Sequence, residues 1–322
     1  MIDDILYLNA PDIDQLDISP SDLRAVLRKA FQTYSSSELR IPSKQTVRAA
    51  PDRYFQTMAA VCTEPPFAAV KWVSVVGANS QRGLPNVNGL IILGDLETGL
   101  PVAVLDGNRV TVMRTAAMSA LASEYLASPT STSLGLVGCG AQAYGHLAAL
   151  RDALPGLEKI LCFDRRAESA AALASHATAL GTECQTTTDA DDVLQCDVIV
   201  SSVPSVAGMQ PFLDARKLKL GSLAIAIDMG RSWLPESLDA FSSYFVDDKV
   251  QAEDADTRPK LAYCGPFNAD LADLIGGAVA GRNNGSDRIL FIYPGFALAD
   301  LAVASELYIR ARRENVGTKM RR

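Results

Sequence analysis

Residues Leu134 to Ala143 read Leu-Gly-Leu-Val-Gly-Cys-Gly-Ala-Gln-Ala, a short apolar run that enters Gly138-Cys139-Gly140-Ala141-Gln142-Ala143 and then an Ala/Leu-rich stretch. This spacing suits a strand that turns tightly into a helix around a dinucleotide. Gly138 permits the turn, Gly140 lets the backbone approach a pyrophosphate, and Ala143 keeps the helix close to the sheet. The helix N-terminus adds unpaired N–H groups and a partial positive charge. Downstream, Lys159 to Asp164 reads as a second strand ending in an acid, where a carboxylate accepts from the adenosine ribose hydroxyls. Asp164 therefore favours NAD(H), because it would repel the 2′-phosphate of NADP(H). Arg165 and Arg166 keep NADP(H) open as the alternative, since they follow at once and can clamp that phosphate if Asp164 turns away. A thiol at a helix N-terminus, here Cys139, can become reactive; the better reading is a small residue filling the variable place of the motif.

Three further residues have types that could do chemistry. Lys71 lies inside the apolar run Val70-Lys71-Trp72-Val73, so it must snorkel to a rim or face a polar pocket. Arg114 is expected to open the Ala-rich helix Arg-Thr-Ala-Ala-Met-Ser-Ala-Leu-Ala, where a cation opposes the helix dipole unless an anion is close. Asp228 ends the fifth strand of the nucleotide-binding part, at the carboxyl edge where open α/β sheets bind ligands. Taken singly, each also reads plainly as a rim lysine, a surface arginine and a strand-end cap.

The elements that must position these residues follow from the pattern of the chain. From Ser133 to about Gly295, strand-like and helix-like segments alternate. Strands are expected at 134–137, 160–164, 184–187, 197–203, 223–228 and 244–247, several of them continuous apolar runs of the kind found when helices cover both faces of a parallel sheet. Ala167 to Leu180 reads as a helix stopped by Gly181, and Asp189 to Leu194 as a short self-capped one. The first 115 or so residues read differently: an amphipathic helix from Pro20 to about Tyr34, short strands at 54–61, 70–76, 90–93 and 101–105, and turns at 77–88 and 96–101. The expected fold is α/β: a doubly wound parallel Rossmann-type domain over 117–299, plus an antiparallel α+β domain formed by 1–116 with the last helix and tail, 300–322. That helix is read over 297–313.

Composition narrows the partners. The 322 residues are 48% hydrophobic and 21% charged, enough to core two domains, and the net charge of −7 argues against nucleic acid or an anionic membrane surface. No signal-peptide pattern and no bilayer-length apolar run are present, so a cytoplasmic protein is expected. Six scattered cysteines without a C-x-x-C pair and two histidines, His146 and His176, indicate neither a disulfide framework nor a metal site.

Over nearly its whole length the chain resembles the ornithine cyclodeaminase and mu-crystallin family. The matching blocks are Lys71-Trp-Val, Gly83-Leu-Pro, Gly89-Leu-Ile-Ile-Leu, Glu97-Thr-Gly-Leu-Pro, Arg114-Thr-Ala-Ala, Gly138-Cys-Gly-Ala-Gln, Asp197-Val-Ile-Val and Gly295-Phe-Ala-Leu-Ala-Asp-Leu, in the family's order. The resemblance implies that Lys71 and Arg114 hold the carboxylate of an amino or imino acid, that NAD(H) or NADP(H) is bound, and that the chain dimerises through its first domain. Lys44 is the expected counterpart of a further basic residue, with Arg48 as its rival; Asn86 completes the substrate set. Thr115, Gly138, Cys139, Gly140, Ala141, Gln142, Asp164, Arg165 and Ser202 form the expected cofactor set. Lys71 and Asp228 are the expected catalytic pair. Cyclodeaminases carry an aspartate in the segment that here reads Asp228-Met-Gly-Arg-Ser-Trp-Leu-Pro-Glu236, and Asp228 lies earlier than that position. The resemblance thus implies hydride transfer between nicotinamide and the α-carbon of a small amino or imino acid, as in a ketimine reductase or amino-acid dehydrogenase. An ornithine cyclodeaminase and a non-catalytic ligand-binding protein are the alternatives.

Overall fold

The computed structural model describes residues 4–37, 39, 41–50, 52–204 and 208–322. The first three residues of the N-terminal segment read for a signal sequence lie outside these. From the N-terminus the chain forms β1 (Asp4–Leu8), α1 (Ala10–Gln15), α2 (Pro20–Ser35), β2 (Gln45–Ala50), β3 (Arg53–Thr63), β4 (Pro66–Val76), β5 (Val87–Asp95), β6 (Pro101–Asp106) and α3 (Gly107–Leu126). There follow β7 (Ser133–Val137), α4 (Ala141–Ala153), β8 (Lys159–Phe163), α5 (Ala167–Ala179), β9 (Glu183–Thr187), α6 (Ala190–Val193), β10 (Val198–Ser201) and β11 (Leu223–Ala226). The last elements are β12 (Ser243–Val246), α7 (Lys249–Glu253), β13 (Ala269–Asp270), α8 (Leu271–Ile275), β14 (Ile289–Ile292), α9 (Ala297–Glu314) and β15 (Thr318–Arg321). They divide between two compact units, Met1–Arg114 with Phe296–Arg322, and Thr115–Gly295.

In the first unit the described strands make one sheet, ordered β15-β1-β6-β5-β4-β3-β2. Alternation along β4 and β5 buries Lys71, Val73, Ile91 and Leu93 on one face and leaves Trp72, Leu90 and Ile92 on the other. The buried face is covered by α9, which packs on β3, β4 and β5. Helix α2 begins with Ser19 accepting the Asp22 N–H at 3.1 Å and Pro20 at its first position, and it buries Leu23, Leu27, Ala30 and Phe31 as one stripe. That stripe meets α9, where Phe296 lies 5.9 Å from Phe31 and 5.4 Å from Tyr34, ring to ring, and Arg310 reaches Asp22 at 2.8 Å.

Three expectations for this unit need correction. Its sheet is not wholly antiparallel, because β1 runs parallel to β6 while β15 closes the edge antiparallel to β1. Strands β1, β2 and β15 escape the sequence pattern because each is short and at or near a sheet edge, with β2 and β15 largely exposed. Arg114 does not open its helix: α3 starts at Gly107, with Asp106 accepting the Arg109 N–H at 2.7 Å, so Arg114 is the eighth helical residue. Gly107 and the β-branched Val110, Thr111 and Val112 are poor helix formers, and tertiary burial overrides their propensity.

The described strands of the second unit form an all-parallel sheet ordered β13-β12-β14-β11-β10-β7-β8-β9. The middle strands β10, β11 and β14 are buried at every residue, as a parallel sheet covered on both faces requires. Strand β14 is central yet absent from the sequence expectations. Its four apolar residues follow a long irregular stretch and are too few to signal a strand by themselves. Among the described residues no helix is long and apolar enough to cross a membrane.

Asp197, just before β10, ties the base of this sheet. Its Oδ2 accepts the backbone N–H groups of Thr132 and Ser133 at 2.9 and 3.1 Å and the Ser133 hydroxyl at 2.8 Å, while Lys219 lies 2.5 Å from Oδ1. Burial alone would raise its pKa, but Lys219 and these donors outweigh it and hold the carboxyl at about 2. The stabilisation is therefore present above the unfolded value of 3.8 and is lost as pH falls through about 2. Asp197→Asn is expected to cost about 1–3 kcal/mol at pH 7. Urea titrations of both proteins down the acid range should show this difference shrinking; a constant difference would mean the ionised carboxylate is not what ties the strands.

Candidate active site

In the first unit Lys71 and Arg114 do converge, and what they converge on is a carboxylate of the chain itself. Lys71 Nζ lies 2.8 Å from both Oδ1 and Oδ2 of Asp300, and Arg114 Nε lies 3.1 Å from Oδ1. The side chains of Lys71, Arg114 and Asp300 are 3%, 7% and 3% exposed. β4 supplies the lysine on its inward face, α3 the arginine, and the first turn of α9 the aspartate, where an acid also complements the helix dipole. Burial drives the Lys71 pKa down, the Arg114 charge adds to this, and Asp300 opposes it, leaving the amine at about 8. Two cations against one anion give the cluster a formal charge of +1, which suits a ligand carboxylate.

Of the other expected substrate residues, Lys44 is buried just ahead of β2, whereas its rival Arg48 is exposed and stands over the Tyr54 ring at 5.3 Å. Asn86 is half-buried just before β5, its carbonyl accepting the Val76 N–H at 2.8 Å.

In the second unit the Gly138–Gln142 segment lies between β7 and α4. Gly138 adopts φ +86°, and a Cβ there would meet the Ser202 carbonyl oxygen at 3.0 Å. The Ser202 hydroxyl donates to the Gly138 carbonyl at 2.8 Å, so the loop is clamped from β10. Asp164 braces its other side, with Oδ2 accepting the Cys139 N–H at 2.8 Å and Oδ1 the Arg166 N–H at 2.9 Å. Gly140, the N-cap of α4, gives no side-chain cap, and the space where its Cβ would stand is open. The Gln142 Oε1 is buried without a hydrogen-bond partner among the described residues. Uncapped N–H groups and an open backbone fit a dinucleotide pyrophosphate at this loop. Cys139 fills the motif as a buried small residue, and Arg165 and Arg166 are exposed.

Asp228 is buried just beyond β11, and its carboxylate is engaged by its own surroundings. Oδ1 accepts from Ser201 Oγ at 3.1 Å and the Gly230 N–H at 3.0 Å, and Oδ2 from Ser232 Oγ at 2.6 Å. Burial raises its pKa against the pull of Ser232, Arg231 and Ser201. In this position the carboxylate holds the 228–233 loop in shape.

The model of the ornithine cyclodeaminase/mu-crystallin family matches residues 7–315. The chain belongs to this family. It is 29% identical over 331 residues to an alanine dehydrogenase of Archaeoglobus fulgidus, with 98% of each chain covered. Among solved structures it is similar to an archaeal alanine dehydrogenase dimer with bound NAD, at TM-score 0.87, 29% identity and 99% coverage of both chains. It is also similar to the Thermococcus litoralis Δ1-pyrroline-2-carboxylate reductase in complex with NADH and L-proline, at TM-score 0.89 and 26% identity, covering 98% of this chain and 100% of that one.

Two sets of residues in this family member escape a reading of single motifs. Asp300 stands in the Gly295-Phe-Ala-Leu-Ala-Asp-Leu block, and the signal available was an acid in the first turn of an otherwise apolar helix. Ser119, His146 and Tyr293 form a buried chain. His146 Nδ1 lies 2.8 Å from the Gln142 carbonyl, Ser119 Oγ 2.8 Å from Nε2 and 2.7 Å from the Tyr293 hydroxyl, which donates to the Thr115 carbonyl at 3.0 Å. Burial pushes His146 down to about 4, so its imidazole is neutral and Nδ1–H is the donor to Gln142. This chain fixes α4, and with it the Gly138 loop, to α3 and the end of β14.

Asp300→Asn keeps the shape of the cluster and removes the carboxylate charge that Lys71 and Arg114 share. The Lys71 pKa should then fall below about 8, because the charge that raised it is gone, and stability should drop by roughly 3–5 kcal/mol. Side-chain 15N NMR of the Lys71 amine, with urea unfolding, measures both; an unmoved titration midpoint would show that Asp300 does not set the charge on Lys71.

Proposed function

We propose that this chain is an NAD(H)-dependent oxidoreductase of small amino and imino acids, acting as a ketimine reductase or amino-acid dehydrogenase. The observation that carries the reading is the buried Lys71–Asp300–Arg114 cluster, a preformed carboxylate anchor, in a chain that also holds an open Gly138–Gln142 loop. The names of its relatives, an alanine dehydrogenase and a pyrroline-2-carboxylate reductase, and the NAD and NADH bound in the two structures, point the same way.

The Gly138, Gly140 and Gln142 backbone with Ser202 would hold the pyrophosphate, and Asp164 keeps lone pairs that would accept from the ribose hydroxyls beyond its two backbone donors. When bound, the nicotinamide would supply hydride chemistry at the α-carbon, reducing an imine to an amine or the reverse, with a proton to or from nitrogen keeping the balance. Lys71 and Arg114 neutralise and orient the α-carboxylate, which fixes the α-carbon for transfer. With a pKa near 8, Lys71 also lies within reach of proton exchange at neutral pH. Lys44, buried beside β2, adds to the substrate side. Cyclodeamination is less favoured, because Asp228 serves its own loop and Gly230 and Arg231 follow it where an acid would be needed.

Nicotinamide absorbance should report consumption of NADH, in preference to NADPH, with pyrroline-2-carboxylate, piperideine-2-carboxylate or an α-keto acid plus ammonia, and little proline from ornithine with NAD. Lys71→Met should lower kcat/KM about 10- to 150-fold, the range for losing a charge-assisted contact. Rapid proline formation from ornithine without reduction of added imines would instead establish the cyclodeaminase.

The homodimer belongs to the same reading. The outward face of the first sheet exposes Trp72 (47%), Leu90 (44%) and Ile92 (45%) as a contiguous patch, with Phe55 stacked on Trp72 at 5.5 Å. The solved alanine dehydrogenase relative is a dimer. In analytical ultracentrifugation the protein should sediment as a dimer, and Trp72→Glu with Ile92→Glu should make it a monomer with unchanged circular dichroism. Dimers that survive both changes would place the interface elsewhere.

A further inference from the structure

Three cysteines of the second unit meet, and the reading above uses none of their thiols. The Sγ atoms of Cys162 in β8 and Cys184 in β9 lie 3.4 Å apart, and the thiol of Cys139, in the Gly138 loop, also reaches Cys162. The topology brings them together. Strand β8 stands between β7, which leads into that loop, and β9 at the sheet edge. Cys184 sits two residues before Thr186, the register partner of Cys162, so the two cysteines share one face of the sheet. All three are free thiols.

The thiols differ in access and in acidity. Cys139 and Cys162 are buried, whereas Cys184 is half-buried. A hydrogen bond from Cys162 pulls the Cys184 pKa down against burial, while the contacts with Cys139 and Cys184, together with burial, push Cys162 up. Cys184 is thus the member that a small soluble oxidant meets as a thiolate, with a second sulfur already beside it. Strand β9 is five residues long and pairs with β8 alone among the described strands, so it is free to slide and close the gap from 3.4 Å to a bond of about 2.05 Å. A strand held on both sides could not follow. Cys162 also stands two residues before Asp164, whose Oδ2 accepts the Cys139 N–H at 2.8 Å, and the Cys139 Sγ lies 3.5 Å from the Phe163 carbonyl. The end of β8 and the cofactor loop share these bonds, and a pull on Cys162 toward β9 is felt in both.

We propose that Cys184 and Cys162 are a peroxide-sensitive pair, and that joining them as a disulfide loosens the Gly138 loop and weakens cofactor binding. The inference rests on the cofactor reading above and adds its regulation. The Cys184 thiolate attacks one oxygen of hydrogen peroxide, the O–O bond breaks, and a sulfenic acid forms while the departing hydroxide takes up a proton to become water. The Cys162 sulfur then attacks the Cys184 sulfur: the S–S bond forms, the S–O bond breaks, and the hydroxyl leaves with the Cys162 proton as a second water. Two electrons have passed from the two thiols to the peroxide. A dithiol reverses the step by exchange and is itself oxidised to a disulfide. In the joined state Cys162 turns from Cys139 toward β9, and the loop loses a contact that packs it against β8.

The test starts from Cys264→Ser, which removes the exposed thiol outside the cluster. Treated with hydrogen peroxide, alkylated and digested, this protein should yield two peptides linked through Cys162 and Cys184 in mass spectrometry. A fluorescence titration should show NADH binding weakened by about 10-fold, an ordinary coupling between two sites. Dithiothreitol should restore both. Cys184→Ser in the same background should bind NADH as the reduced protein does and no longer respond to peroxide. By linkage, saturating NADH should shift a glutathione redox titration of the pair toward the thiols by the same factor. Absence of the linked peptides, a link through Cys139 instead, or a disulfide that leaves NADH affinity unchanged would overturn the proposal. Failure of the reduced protein to bind NADH would defeat the cofactor reading. The peptide map then decides the pair: a Cys162–Cys184 link that dithiothreitol reverses upholds it, and its absence rejects it.

Discussion

Three charged side chains almost wholly out of water set the terms for the first unit. Left there alone, Lys71 would shed its proton and Arg114 would drag in solvent. Asp300 makes the pair tenable, with both oxygens on Lys71 and one on Arg114. Since Asp300 lies in the last long helix, the chain must leave the first unit at Arg114, build the whole parallel sheet, and return at Phe296. The Ala- and Leu-rich face of α9 gives that return its hydrophobic drive, and the cluster fixes the register in which α9 lies on β3 to β5. Apolar burial could be satisfied by a helix shifted by a turn; the carboxylate could not. Directional pairing thus supplies what area alone does not, the place of one helix to within a hydrogen bond.

What could be read from the sequence was what is local in it. The Gly138–Ala143 spacing, the acid at Asp164 and the apolar runs of β7, β8, β10 and β11 each declare themselves within a few residues, because a tight turn and a buried strand impose their own composition. Lys71 was visible for the same reason, as a charge where none belongs. Its partner was not, since no local rule connects residues 229 positions apart. Arg114 was found but misplaced within its helix, because Ala-rich sequence marks the part of α3 with high propensity and not the turns that burial enforces. Strand β14 shows the same limit. It stands between β11 and β12 through tertiary pairing alone.

Asp228 illustrates how a residue type at the right sheet edge can serve geometry. A carboxylate past the end of a parallel strand is well placed for chemistry, and equally well placed to gather the donors of a loop that must turn back sharply. Three such donors surround it, and burial works against its charge, so the free energy of those bonds goes into the shape of residues 228–233.

The overall charge of −7 bears on how an acidic ligand finds such a protein. A uniformly negative surface would repel it, but at physiological ionic strength that repulsion decays over about 8 Å. Within that range the local fields dominate. The cluster in the first unit carries a formal +1, and the N-terminus of α4 presents uncapped N–H groups. Each positive site is small, partly or wholly buried, and surrounded by apolar walls or backbone, where the effective dielectric is lower and attraction falls off less than at the surface. An excess of surface acids can therefore keep the protein soluble without weakening its hold on anions, because the two tasks are separated by depth. Moving any one of these cations to the surface would lose its selectivity for an anion while leaving the net charge unchanged.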